Sequence, residues 1–261
     1  MNSHPPALAL LLDQVPDSCE QQVLDTLQLT HETVSRSVAE CCRLSLDGSA
    51  PVKVIPGRPE MLRWLALPSV DWPPLSDFEP VDGPPQIENE GIEDPLGRYW
   101  FTVDAAQTDE CAANQASIEL YWRNIGLVAN VLDVTVSDLT IVVLAHEVAH
   151  EYTQLGADLD GRRWLPHRFH HASTTGTEAL AQYYCEQELR ALTPDYPMAL
   201  DAFWRLLTIQ SPAYTTYMKW PAMREGAEGV RRALLLMRKV EPGTPYAIMQ
   251  ILTDNRLPIR R

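Results

Sequence analysis

LTIVVLAHEVAHEYTQLG, residues 139–156, contains the pattern HExxH at His146, Glu147 and His150. On a helix, residues four apart lie one above the other on the same face. His146 and His150 can therefore offer two imidazoles to one metal ion. Glu147 lies about 100° round the helix from His146, within reach of a water at that ion without being a ligand. Those residue types at that spacing point to metal-assisted hydrolysis, in which zinc acidifies water and the glutamate takes its proton. Ser137 is the predicted N-cap, Asp138 suits the positive end of the helix, and Gly156 is placed to end it. The competing reading is a buried helix with two core histidines, or a short strand over Ile141–Leu144. Two histidines and a glutamate without partners inside an apolar run would be costly, which favours the metal.

Composition narrows the partners. The 261 residues carry a formal net charge of −14, which excludes nucleic acid as a general partner. No apolar run approaches the length of a bilayer span, and the Ala7–Leu12 run is short for a signal-peptide core and lacks a basic flank. The five cysteines, with Cys41 and Cys42 adjacent, have no disulfide-framework spacing. They read as reduced thiols of a cytoplasmic protein.

Outward from the motif, the pattern predicts a mainly helical α+β chain. Residues 1–67 form an N-terminal helical cap. Within it, Ser18 and Gln21 make a capping box for a short helix with Val23, Leu24 and Leu27 on one face. A second helix runs from His31 to Leu46, then come a strand over Pro51–Ile55 and a short helix over Glu60–Leu67. Residues 68–85 are a proline- and acid-rich connecting segment. Residues 86–195 form the catalytic core. It holds a hairpin turning at Asp94–Gly97, a helix over Ala113–Leu132 with Ile118, Tyr121, Trp122, Ile125 and Val128 at helical spacing, and the motif helix. A loop over 157–176 then leads to a helix capped by Thr175 or Thr177. Residues 196–261 form a C-terminal helical subdomain, with helices near 196–210, 227–240 and 245–252. The middle one turns Val230, Ala233, Leu234 and Met237 inward and its arginines outward.

A catalytic zinc takes three protein ligands and keeps one position for water. The metzincin extension of HExxH does not apply, because Thr153 stands where its glycine would be and Gly156 where its histidine would be. Two sources for a third ligand remain: Glu178, at the start of the following helix, and His170 or His171 in the loop. A helix holds a ligand more rigidly than a loop does, which favours Glu178.

On His146-Glu147-Val148-Ala149-His150 and Thr177-Glu178-Ala179-Leu180-Ala181, the chain resembles the gluzincin metallopeptidases, the thermolysin-like branch of HExxH enzymes. The resemblance covers the active-site helices. It implies a zincin-like core, Zn(2+) held by His146, His150 and Glu178, Glu147 as general base, and a peptide or protein substrate. Gln182 stands where that branch carries an acidic residue, one turn after the ligand glutamate, and from there could orient a ligand. Tyr152, His170, His171, Tyr183 and Tyr184 are the candidates for stabilising the oxyanion or holding substrate. The expected function is a narrow-specificity cytoplasmic zinc metallopeptidase without a nucleic-acid or membrane partner; oligomeric state is unspecified. The alternative is a catalytically silent zincin-like protein that binds a partner.

Overall fold

The computed structural model describes residues 12–57, 61–62, 65, 90–101, 116–157, 161–220 and 226–239. The expected short helix over Glu60–Leu67, the connecting segment 68–85 and the helix over 245–252 lie wholly or mostly outside the described residues. The architecture is mainly helical α+β, and its centre is α3 (Val136–Leu155). Every residue of α3 from Leu139 to Leu155 is buried, as befits a helix that is apolar all round. The strand reading of Ile141–Leu144 therefore falls away. The helix starts one residue before Ser137. Its N-cap is Thr135, whose hydroxyl accepts from the Asp138 amide at 3.0 Å, and Gly156 ends it as expected.

Around α3 stand α1 (Ser18–Cys42), α2 (Trp122–Leu132), α5 (Thr174–Leu192) and α6 (Pro197–Leu207). Two short pieces, α4 (Pro166–His170) and α7 (Pro212–Thr215), the latter continued by a 3-10 turn at Thr216–Lys219, close the ends, and α8 (Gly226–Met237) follows. One hydrophobic core joins residues of all these helices and of the sheet.

Several local expectations are corrected. The two predicted N-terminal helices are one 25-residue helix, because neither glycine nor proline interrupts 18–42. Its buried stripe runs Cys19, Val23, Thr26, Thr30, Val34, Val38, Cys42, while Leu24 is exposed. The capping box does not form: Asp17 is the N-cap, and Gln21 donates to Asp25 instead. The helix stops at Cys42, before Asp47-Gly48, with Arg43 in the left-handed region at φ 55°.

Residues 113–132 are not one helix. Ala116–Tyr121 is a strand, and α2 begins at Trp122. The sheet contains β1 (Val52–Ile55), β2 (Glu90–Glu93), β3 (Gly97–Phe101) and β4 (Ala116–Tyr121) in the order β1-β4-β3-β2. β4 pairs parallel with β1 and antiparallel with β3, and it is buried on both faces. A strand covered on both sides loses its alternating pattern, so the apolar spacing over 116–121 mimicked a helix. The hairpin β2–β3 turns at Asp94–Gly97 as expected, pairing Glu93 with Arg98. The segment expected as a cap thus supplies β1 to this sheet and α1 to the common core.

After α3 the chain is pinned by Trp164 and Phe169, which pack edge-on at 5.0 Å, with Phe169 against Phe101 at 5.6 Å. α5 starts earlier than expected, behind Ser173, so Thr177 lies inside the helix. In α8, Val230, Ala233, Leu234 and Met237 are buried as expected. Beyond its end, Arg238 is buried rather than outward, and its guanidinium donates to the carbonyls of Tyr152, Thr153, Gly156 and Arg162. A cation there satisfies the open carbonyls at the C-terminus of α3 and complements its dipole. Among the described residues no helix is long and apolar enough to cross a membrane. Cys19, Cys41, Cys42 and Cys185 are free thiols.

Candidate metal centre

The HExxH face of α3 meets the N-terminal half of α5. His146 Nε2 lies 3.1 Å from His150 Nε2 and 3.2 Å from Glu178 Oε2, and His150 Nε2 lies 3.6 Å from Glu178 Oε2. Ligands about 2.0–2.1 Å from a tetrahedral metal stand roughly 3.3–3.4 Å from one another. The three donors are spaced as such a site requires, and His146, His150 and Glu178 could hold a metal ion. Two imidazole nitrogens 3.1 Å apart need a proton or a cation between them. His170 and His171 are exposed at the end of α4, with their rings 4.9 Å apart, and are not in the donor group.

Gln182 supports the first histidine. Its Oε1 is 3.0 Å from His146 Nδ1, and its Nε2 donates to Gln210 Oε1 at 2.8 Å. With the amide so oriented, Nδ1 carries the proton and Nε2 is left as the donor atom. His150 stacks parallel to the Tyr99 ring at 6.5 Å, and the Tyr99 hydroxyl donates to Gln154 Oε1 at 2.6 Å.

The charges are strongly coupled. Burial depresses His146, but Glu178, Asp94 and Glu147 outweigh it and raise the imidazole to about 9. Burial opposes an ionised Glu178, but His150 and His146 hold its carboxyl at about 2. Burial keeps His150 below its ordinary value despite Glu178. Without a metal, one proton therefore sits on His146 against Glu178, in the space between the donors. Glu147 is wholly buried, and the Tyr99 backbone amide donates toward its carboxylate. Burial pushes it well up, His146 pulls it down, and the carboxylates of Asp94 and Glu178 add to the rise.

Sequence reasoning missed three residues here. Asp94, in the β2–β3 turn, places Oδ2 3.9 Å from His146 Nε2. Tyr214, on α7, packs its ring 5.8 Å from that of His146 and donates its hydroxyl to Asp94. Gly97 lets the turn lie against the general-base candidate, since a Cβ there would stand 2.8 Å from Glu147 Oε1. Asp94-Pro95 was legible as a turn, but nothing local says where that turn points.

The tyrosines named from sequence lie elsewhere. Tyr183 packs on Tyr217 and Trp220, and Tyr184 on Tyr183. Tyr152 faces the Cys42 and Glu188 side of α3. Helix phase explains this. From Glu178, Gln182 is about 40° round, but Tyr183 and Tyr184 are about 140° and 240° round, and Tyr152 is about 200° from His150. Among the described residues it is Tyr214 that places a hydroxyl beside Asp94 and His146. No known family model, curated protein or solved structure matches the chain.

Proposed function

We propose that the protein is a zinc-dependent hydrolase of peptide bonds, a metallopeptidase with a zincin-like core. One observation carries this reading: three convergent donors lie 3.1 to 3.6 Å apart, beside the wholly buried carboxyl of Glu147. A partner-binding scaffold has no use for Glu147 in that place, where a wholly buried carboxylate met by a single backbone amide is costly.

His146 and His150, through Nε2, and Glu178, through Oε2, would hold the ion, with Gln182 fixing the tautomer of His146. Zinc, when bound, supplies Lewis acidity, brings a water to a pKa of about 7 and favours ionised Glu147 by its charge. Glu147 takes one proton of the attacking water as the oxygen adds to the scissile carbonyl carbon. It then returns that proton to the nitrogen as the C–N bond breaks, leaving a carboxylic acid and an amine. The enclosed walls, made by the Asp94–Gly97 turn and Tyr214, exclude bulk water from these transfers.

The test is zinc per chain and hydrolysis of a peptide library by wild type, Glu178→Ala and Glu147→Gln after metal washing and reloading. Wild type is expected to hold one zinc, Glu178→Ala to lose most of it, and Glu147→Gln to keep it while hydrolysis falls by about 100-fold or more. Wild-type protein that takes up no zinc, or a Glu147→Gln variant that cleaves at the wild-type rate, overturns the proposal.

A further inference from the structure

We infer that the metal site rests closed and that Ser211–Thr216, the segment carrying α7, is the lid that moves to admit metal and substrate. The hydrogen bond from Tyr214 to Asp94 is its latch. The inference rests on the metal-holding part of the reading above, not on the hydrolysis.

The site is shut. Glu147 and His150 are wholly buried, Glu178 is 2 % exposed, Asp94 4 % and His146 5 %. A hydrated cation or a peptide needs a path to these atoms, and side chains covered this deeply offer none. Most of the walls are fixed. α3 and α5 lie in the common core, with Leu144, Ala145, Val148, Ala149, Ala179 and Ala181 all buried. The β2–β3 turn is pinned from several sides. Asp94 Oδ1 accepts from the Leu96 amide at 2.9 Å, and the Tyr121 amide donates to Leu96 O at 3.0 Å. Asn124 Nδ2 donates to Pro95 O at 2.7 Å, and Leu96 is buried in the core.

The remaining wall is one side chain thick. Tyr214 is buried, with its ring 5.8 Å from that of His146. Its neighbours Ser211, Ala213, Thr215 and Thr216 are half-buried, and Pro212 is exposed. The backbone that carries the Tyr214 ring over the site is thus itself at the surface. This segment's own hydrogen bonds close on itself. The Tyr214 amide donates to Ser211 O at 3.1 Å, and the hydroxyls of Thr215 and Thr216 donate to Pro212 O at 3.1 and 3.0 Å. Those bonds travel with the segment when it swings. Both ends are anchored. Before it, Ile209 is buried and Gln210 accepts from Gln182 at 2.8 Å. After it, Tyr217 and Trp220 are buried and pack on Tyr183 of α5 at 6.4 and 6.1 Å. What ties the middle across the site is the Tyr214 hydroxyl, which donates to Asp94 on the pinned turn. A self-contained turn between two anchors, held across by one hydrogen bond and one ring, is built for hinged opening on the order of microseconds to milliseconds.

The experiment is stopped-flow uptake of cobalt(II), a visible-absorbing stand-in for zinc, by metal-free full-length protein over a range of cobalt concentrations. In wild type the uptake rate is expected to level off at the opening rate, well above the rate of global unfolding measured in parallel. Tyr214→Phe keeps the ring and removes the latch, and is expected to raise that plateau about tenfold. Tyr214→Ala removes the wall, and its uptake is expected to stay proportional to cobalt throughout. Wild-type uptake that is proportional to cobalt throughout overturns the inference. So does a wild-type plateau equal to the unfolding rate, or a Tyr214→Phe plateau equal to that of wild type, whether or not Tyr214→Ala folds. A wild type that takes up neither cobalt nor zinc overturns both this inference and the hydrolase reading. One that shows the plateau and its rise in Tyr214→Phe but cleaves no peptide supports the lid and removes only the hydrolase.

Discussion

Replacing Gln182 by leucine tests whether the metal centre is oriented from behind. Gln182 is 1 % exposed and spans His146 Nδ1 at 3.0 Å and Gln210 Oε1 at 2.8 Å. Leucine fills nearly the same volume and removes both bonds, which strands a buried N–H on His146. A lost buried partner costs about 1–3 kcal/mol. The larger consequence is at the metal. With no acceptor at Nδ1, the imidazole can place its proton on Nε2, the atom facing Glu178 and His150. Loss of such an outer partner weakens metal binding by about 10–100-fold, or about 1.4–2.7 kcal/mol. The assay is zinc competition against a chelator of known affinity, with unfolding of the metal-free protein measured in parallel. Gln182→Glu retains an acceptor and is expected to bind zinc at least as tightly as wild type. Gln182→Leu protein with affinity within about twofold of wild type, beside Glu178→Ala protein that has lost its zinc, would refute the orienting argument.

Two further outcomes follow from the buried charges. At pH 7 the metal-free centre holds His146 protonated, with its pKa near 9, and Glu178 ionised, with its pKa near 2. Zinc binding should therefore release about one proton and tighten about tenfold per pH unit until His146 titrates; calorimetry in buffers of different ionisation enthalpy would contradict this by showing no release. Glu151 is buried, and burial raises it from 4.5 to about 7 although the Ala50 amide donates to it. The native state thus keeps a proton that the unfolded chain loses above 4.5, so this stability is complete at lower pH and is lost as pH rises through about 7. Glu151→Gln keeps the acceptor and removes roughly 3 kcal/mol of that pH dependence; urea-unfolding curves that stay parallel to wild type from pH 4 to 8 would rule it out.

By itself the sequence determined what depends on helix phase. His146 and His150 share a face because they are four residues apart, and Glu178 and Gln182 do so for the same reason on the next helix, where three donors and one supporting amide do meet. The C-terminal end of α3 at Gly156, the turn at Asp94–Gly97 and the inward stripe of α8 were legible for the same local reasons of capping, turn chemistry and period. Tertiary structure decided the rest. Ala116–Tyr121 is a strand because partners flank it on both sides, and a doubly buried strand carries no alternation to distinguish it. Arg238 turned inward because three carbonyls at the end of α3 and that of Arg162 in the loop after it needed donors, a demand set more than 70 residues upstream. Asp94 and Tyr214 face His146 from 52 residues before it and 68 after it. No periodicity spans such separations. Contacts between elements are set by how their buried faces pack, so the donors of the site could be found along the chain, while its walls exist only in the fold.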